Sequence, residues 1–281
     1  MISKNEISDY LEFLQDVAFE AGEILLKFQK KRQHLEVIDK GPEGIASSAD
    51  QESERYIIGR LKDRFPDHTI LSEESDYEHY KKNIETLSKT EYLWVIDPLD
   101  GTNNFVNGIP IFAISIGLLH KGETLLGLVY NPHSGECFFA GRGLGANLID
   151  YRINPLRKYK LFIEENTKTM DECIFSPAPT YDIDHRFENQ LSAFKKNIIG
   201  ARAVRRLGCA ALELCYVACG NFDAYWEKSL KPWDVAAGYI ICAEAGVLVT
   251  DFSGKEYSPF NESIIAAAKP LHGHIIGKIK G

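Results

Sequence analysis

No apolar run in the 281-residue chain approaches the roughly 18 residues that a bilayer-spanning helix needs, and Met1-Ile2-Ser3-Lys4-Asn5-Glu6 lacks the apolar stretch of a secretory leader. A cytoplasmic protein with no membrane partner is expected. The six cysteines, Cys137, Cys173, Cys209, Cys215, Cys219 and Cys242, form no C-x-x-C pair and fall in apolar segments, so buried free thiols are expected rather than a disulfide framework. The eight histidines show no H-E-x-x-H spacing, which leaves zinc without a ligand set. Positive charge is in deficit too, with 32 Lys and Arg against 40 Asp and Glu for a net −8, and such a surface attracts neither nucleic acid nor anionic lipid. Lys30-Lys31-Arg32 is too short to reverse that and reads as a helix C-terminus. There is no internal repeat, low-complexity tract or long linker. What remains is ordinary globular composition, 44% hydrophobic and 26% charged, in a chain long enough for one large domain or two packed halves.

The most informative stretch is Trp94-Val95-Ile96-Asp97-Pro98-Leu99-Asp100-Gly101-Thr102-Asn103-Asn104-Phe105. Leu93 to Ile96 reads as a buried strand that delivers carboxylates at its end. Pro98 is expected to stop the strand and Gly101 to permit a tight backbone path, so that Asp97 and Asp100 converge. Two carboxylates so close repel unless a cation lies between them. The bland alternative is a strand-to-turn corner in which Asp caps a short helix.

Upstream, Ile7, Leu11, Leu14, Ala18, Ala21, Leu25 and Phe28 recur at steps of four and three, the stripe of a long helix, with Ser3 and Glu6 as a capping box. Lys40-Gly41-Pro42-Glu43-Gly44 breaks the periodicity and reads as a loop. A second helix is expected over Ser48 to Arg64 with Ile57, Ile58, Leu61 and Phe65 inward, and Asp50 in its first turn suits the helix dipole. Thr69 to Ser72 reads as a strand ending in Glu73 and Glu74, only one of which would face a site, and residues 76 to 91 read as a solvated excursion. Downstream, Ile111 to Leu119, Thr124 to Tyr130 and Glu136 to Ala140 form an antiparallel meander. Gly141-Arg142-Gly143-Leu144-Gly145 has the spelling of a phosphate loop, but strand follows it instead of helix, so it reads as a tight turn. From about residue 154 strands and helices alternate: strand-like Glu172 to Ser176, helical Ile183 to Lys195, strand-like Ala201 to Arg206, helical Cys209 to Cys219, strand-like Phe222 to Trp226, helical Asp234 to Ala245, strand-like Val247 to Asp251 and Ile264 to Ala268, and a last helix after Pro270. The fold class is therefore α+β passing into α/β: residues 1–153 form an α+β half carrying the acidic motifs, and 154–281 an α/β half that completes the site in one rigid body.

The central stretch resembles the first signature of the inositol monophosphatase family of Mg-dependent, lithium-sensitive phosphomonoesterases. Leu71-Ser72-Glu73-Glu74-Ser75 is similar to the family's upstream acidic pair, and Lys231-Pro232-Trp233-Asp234-Val235-Ala236-Ala237-Gly238 to its second signature. The resemblance implies a layered αβαβα sandwich, with an antiparallel sheet in the first half and a mixed, mainly parallel one in the second, and a homodimer. It implies that Glu73, Asp97 and the Leu99 carbonyl hold one Mg²⁺, that Asp97, Asp100 and Asp234 hold a second, and that a third ion lies near Glu73. All are hard oxygen donors, which suits Mg²⁺ or Mn²⁺. It further implies that Asp50 orients Thr102, that Thr102 and Glu73 orient and deprotonate the attacking water, that the Gly101 and Thr102 amides hold phosphate, and that the loop over 40–44 closes over the metals. Gly208-Cys209-Ala210 and Glu227 match the segments that line the alcohol pocket, with Asp100 and Asp234 also facing substrate. Two departures stand out. Ala46-Ser47 replaces the family's usual Val-Thr, and Cys209 replaces a frequent Thr. Glu227 also reads as an exposed charge at a strand end, and Arg205 as a phosphate, dimer or merely solvated contact.

The expected activity is hydrolysis of a small phosphate monoester, inositol 1-phosphate first and fructose 1,6-bisphosphate second. Relatives with similar motifs act on histidinol phosphate, adenosine 3′,5′-bisphosphate or NADP. A binding or regulatory protein that keeps the fold is the non-enzymatic alternative.

Overall fold

The stripe beginning at Ile7 becomes the buried face of α1, Lys4–Gln29, in the computed structural model, which describes residues 2–39, 45–164, 168–178, 191, 194–196 and 198–280. The Ser3 hydroxyl accepts the Glu6 amide at 3.3 Å and the Glu6 carboxylate accepts the Ser3 amide at 2.8 Å, the reciprocal box read from the sequence. Seven apolar side chains from Ile7 to Leu25 leave water on this face, each large aliphatic contributing about 1.5–3 kcal/mol. A short antiparallel ribbon follows, β1 (Val37–Asp39) with β2 (Ile45–Ser47), and the loop expected over 40–44 lies outside the described residues. α2 spans Ser48–Arg64, burying Ile57 and Leu61.

Two expectations fail in the next segment. Glu73 and Glu74 do not end β3, Thr69–Ser72; they open α3, Glu73–Leu87, so strand alternation does not choose between them. The supposed solvated excursion is therefore helical, and Tyr80 and Leu87 bury against Leu71, Leu93 and Trp233. Few apolar positions carry that helix, and a charged sequence hides it.

Next come β4 (Leu93–Asp100), the short α4 (Thr102–Asn107), β5 (Ala113–His120), β6 (Glu123–Asn131), β7 (Glu136–Gly141), β8 (Gly145–Asp150) and β9 (Lys158–Leu161). They form a seven-stranded sheet in the order β3-β4-β5-β6-β7-β8-β9, with only β3 and β4 parallel. The glycine-rich run is the tight β7–β8 turn, as expected. The remaining elements are β10 (Ile174–Ala178), β11 (Ala203–Val204), α5 (Ala210–Ala218), β12 (Ala224–Lys228), α6 (Pro232–Glu244), β13 (Leu248–Thr250), β14 (Ser263–Ala267) and α7 (Lys269–Lys280). Their sheet runs β11-β10-β12-β14-β13 and is mixed: β10 lies parallel to β11 and β12, while β14 lies antiparallel to β12 and β13. The helix expected over Ile183 to Lys195 lies largely outside the described residues.

The layers are those of an αβαβα sandwich. α1 and α2 cover one face of the seven-stranded sheet through Leu14, Leu25, Leu61, Trp94 and Phe105. α5 and α6 fill the space between the sheets, where Phe138, Leu214, Tyr225 and Ile241 share one core. α7 covers the far face through Leu271 and Ile275, packed on Phe175 and Trp226. Close approach of α6 requires Gly127 on β6, because a Cβ there would lie 2.6 Å from the Ala237 Cα. Among the described residues no helix is long and apolar enough to cross a membrane.

Candidate active site

β4 is buried along its whole length, and Pro98 does not stop it. The pairing with β5 shifts between Asp97 and Asp100 and resumes at Asp100 opposite Ala113, so the residue without an amide proton sits in a bulge, where no ladder bond is lost. The bulge is pinned from two sides. Ser53 on α2 donates to the Pro98 carbonyl at 2.9 Å, and the Leu99 amide donates to Asp97 Oδ1 at 2.9 Å.

Opposite Asp97 on β5 is Ser115, whose hydroxyl donates to the Trp233 carbonyl at 3.1 Å and ties the start of α6 to the sheet. That contact sets Asp234 in the first turn of α6, where its Oδ2 accepts the Lys231 amide at 2.7 Å. Glu73, at the start of α3, completes a trio: ligand atoms of Glu73, Asp97 and Asp234 all lie within 4.8 Å of one another. Asp100 stands beside this trio rather than in it. Its Oδ2 accepts the Ala211 amide at 2.7 Å and the Cys209 thiol at 3.2 Å, so it also closes the N-terminus of α5. The thiol of Cys209 thus supplies, weakly, a donor where the family often has a hydroxyl.

These acids cannot all stay ionised comfortably. Burial pushes Asp97 well above the ordinary carboxylate range, and repulsion from Glu73, Asp100 and Asp234 adds to it. Burial also pushes Asp100 up to about 7, against the Ala211 and Cys209 bonds, and pushes Asp234 up to about 7 with Asp100 as the next cause. Such a cluster holds protons or cations. With three carboxylates converging, the donor set is one of hard oxygens and fits Mg²⁺ or Mn²⁺.

A second arm comes from α2. Asp50 is 1% exposed; its Oδ2 accepts the Ser47 amide at 2.8 Å and hydroxyl at 2.6 Å, and its Oδ1 accepts the Thr102 hydroxyl at 2.8 Å. Thr102 Oγ1 also lies 3.0 Å from the Leu99 carbonyl. Ser47 and Asp50 form a capping box that the sequence reading missed, and in it Ser47 supplies a hydroxyl despite the departure at 46–47. Gly101 is required here: its φ is +90°, and a Cβ would meet the Ile111 and Gly208 carbonyls at 3.0 and 3.3 Å.

The third arm is the turn before α5, carrying Gly208, Cys209 and Ala210. Asn104 of the central motif donates to the Ile111 and Leu207 carbonyls, both at 2.7 Å, and Glu213 accepts the Leu207 amide at 2.9 Å and the Ser176 hydroxyl at 2.5 Å. Glu227 on β12 is only 14% exposed on its side chain, which overturns the exposed-charge alternative. Burial pushes it up to about 8, against a hydrogen bond from the Tyr225 hydroxyl to Oε2. Arg205 reaches only the Val204 carbonyl among the described contacts, from an exposed position. Sequence reasoning missed Asn104, Ala211, Glu213 and Tyr225 in these arms. Asn104 carried a signal, since it stands inside the central motif; Glu213 reads as an ordinary helical charge.

Residues 6–281 match the sequence model of the inositol monophosphatase family. The chain belongs to the inositol monophosphatase family. It is 36% identical over 263 residues to the Nus factor SuhB of Pasteurella multocida, covering 94% of this chain and 92% of that protein. It is 33% identical over 268 residues to the fructose-1,6-bisphosphatase/inositol-1-monophosphatase of Thermotoga maritima, covering 95% and 94%. The crystal structure of the extragenic suppressor protein SuhB from Bartonella henselae matches with a TM-score of 0.82 at 31% identity, over 97% of this chain and 98% of that one. Membership in the family makes small phosphate esters the class of molecule to test.

Proposed function

We propose that the protein hydrolyses the phosphate monoester of a small polyol or sugar, inositol 1-phosphate foremost, in a Mg²⁺-dependent reaction. The observation that carries this reading is the convergence of Glu73, Asp97 and Asp234 beside the Asp50–Thr102 pair. Glu73, Asp97 and the Leu99 carbonyl would hold one ion, and Asp97, Asp100 and Asp234 a second. When bound, Mg²⁺ supplies charge neutralisation of the phosphate oxygens and a strong nucleophile from water at neutral pH. The chain's residues do the rest. With its proton committed to Asp50, Thr102 Oγ1 can accept a hydrogen bond from the attacking water and orient it, Glu73 takes the proton released, and as the phosphorus–ester oxygen bond breaks a second water gives a proton to the departing alcohol oxygen. The Gly101 and Thr102 amides hold the phosphate, and Gly208, Cys209, Ala210 and Glu227 receive the alcohol. The halves 1–153 and 154–281 act as one unit in this reading, since the Asp100 carboxylate of the first accepts the Ala211 amide of the second. A cytoplasmic homodimer accompanies it.

Phosphate release measured over inositol 1-phosphate, fructose 1,6-bisphosphate, histidinol phosphate, adenosine 3′,5′-bisphosphate and NADP, with Mg²⁺ and with EDTA, tests the proposal. Inositol 1-phosphate should be turned over fastest and EDTA should abolish the reaction; no release from any ester overturns the reading. Millimolar Li⁺ is expected to inhibit without competing with substrate, because a small monovalent ion at Asp97, Asp100 and Asp234 would trap product. Purely competitive inhibition against matched Na⁺ controls would count against that site. The double name of the Thermotoga relative keeps fructose 1,6-bisphosphate as the second substrate. The Nus factor name of the Pasteurella relative favours a second reading, a regulatory protein on the same fold. Clustered buried acids that cost stability in the absence of an ion speak for a retained metal-binding role.

A further inference from the structure

Tyr225 and Glu227 stand two residues apart on β12, so both side chains leave the same face of the strand. That face packs beneath α5. Tyr225 lies opposite Ser176 in the parallel register with β10, and Ser176 donates to the buried Glu213 carboxylate on α5. A row of polar groups thus crosses a layer otherwise filled by apolar side chains, and it ends at the largely buried Glu227. Tyr225 is 0% exposed and cannot touch a ligand itself. Its hydroxyl donates to Glu227 Oε2, and burial holds that phenol well above its ordinary range, so it stays a donor. Among the described residues Glu227 Oε1 has no hydrogen-bond partner, and the Arg206 guanidinium makes only a long ion pair with it at 3.9 Å. One oxygen of the carboxyl group is therefore fixed by a phenol that ligands cannot reach, and the other is left to pair with a ligand hydroxyl.

We propose that Tyr225 is a positioning residue for substrate selection: its hydroxyl fixes Glu227 so that Oε1 is presented to a hydroxyl of the alcohol, which favours phosphate esters of polyols over esters with no such hydroxyl. The inference rests on Glu227 lying in the alcohol pocket, as proposed above. A flexible carboxylate lends affinity to many groups, whereas a fixed one discriminates, because an alcohol that lacks the matching hydroxyl leaves Oε1 desolvated and unpaired.

Tyr225→Phe, Glu227→Gln and the double variant, each assayed on inositol 1-phosphate and p-nitrophenyl phosphate, provide the test. The ratio of kcat/KM between the two esters should fall about tenfold in Tyr225→Phe, chiefly through KM for the polyol ester. In the Glu227→Gln background the same change should lower the ratio by less than about twofold, because the group being positioned is already altered. Equal losses on both esters, or losses that multiply in the double variant, would overturn the inference and leave Tyr225 a packing residue. A selective loss in Glu227→Gln with none in Tyr225→Phe would sink this inference while the pocket reading stands. Calorimetric binding of inositol 1-phosphate separates the two levels. Weaker binding in Tyr225→Phe with inorganic phosphate binding kept supports the positioning role even where no phosphate is released, and a wild-type chain that binds no polyol phosphate overturns it. Should Tyr225→Phe fail to fold, the wild-type preference for inositol 1-phosphate over its deoxy analogues reads the same carboxylate, and the absence of any preference overturns the proposal.

Discussion

At the scale of single residues, Asp97 is where the costs concentrate. It is 2% exposed, and three other carboxylates, Glu73, Asp100 and Asp234, raise its proton affinity beyond what burial does. Asp97→Asn keeps the shape and removes the charge. Turnover should fall at least a hundredfold, a barrier increase of about 2.7 kcal/mol or more, if Asp97 holds two cations. The melting temperature in EDTA should hold or rise, because the amide relieves repulsion. A variant that kept a tenth of kcat, a change of only about 1.4 kcal/mol, would contradict the two-ion assignment. Asp97 and Asp100 were marked in the sequence by residue type and spacing, whereas Glu73 and Asp234 were singled out by the resemblance to the family's motifs. Their partners were not. Asn104 meets the carbonyl of Leu207, 103 residues away, and Ala211 meets Asp100 across 111, and no local pattern encodes contacts that depend on how two sheets stack.

At the scale of elements, periodicity was informative wherever one face of a helix or strand is buried. It found α1 with its capping box, α2, the meander and the alternating second half. It failed for α3, whose sequence is mostly polar and charged, and for the β1–β2 ribbon, whose strands have three residues each. It misjudged Pro98 because a proline ends a strand only where its missing amide would have paired, and the bulge removes that need. Glycines supply a prediction here. Gly127→Ala should destabilise the protein by about 1–3 kcal/mol, since the new methyl would meet the Ala237 backbone on α6 and not a yielding side-chain tip. Gly59→Ala, on the exposed face of α2 with nothing within 4 Å of the added carbon, should instead stabilise by about 0.4–1 kcal/mol. Urea unfolding of both variants checks the pair. Matching signs would mean that close packing of α6 on the sheet is not what requires Gly127.

At the scale of the whole molecule, the acidic cluster ties stability to pH and, under the proposed function, to cations as well. Asp100 and Asp234 are pushed up to about 7 and Glu227 to about 8 in the folded protein, and Asp97 is raised well above its ordinary range, whereas an unfolded Asp titrates near about 3.9. Between those values the folded chain binds more protons than the unfolded chain, so stability falls as pH rises and the benefit is lost once pH passes the folded values. Burial lowers the affinity of His68, His272 and His274 for protons, which works in the opposite direction but chiefly below about pH 6.5. In EDTA, therefore, the melting temperature at about pH 8 should lie below that at about pH 6.5. Under the proposed function, Mg²⁺ would take the place of the missing protons. Bound there, it would stabilise the folded form by an amount that grows with the logarithm of its concentration relative to its dissociation constant, and it would bind best where no proton must be displaced, so its stabilising effect should be larger at about pH 8. Scanning fluorimetry at both pH values, with EDTA and with saturating Mg²⁺, measures all four points. An equal Mg²⁺ effect at both would mean that the acids are already ionised without an ion. In Asp97→Asn the pH dependence in EDTA should flatten, because the acid that the others push hardest is gone. An unchanged slope would place the coupling elsewhere in the protein.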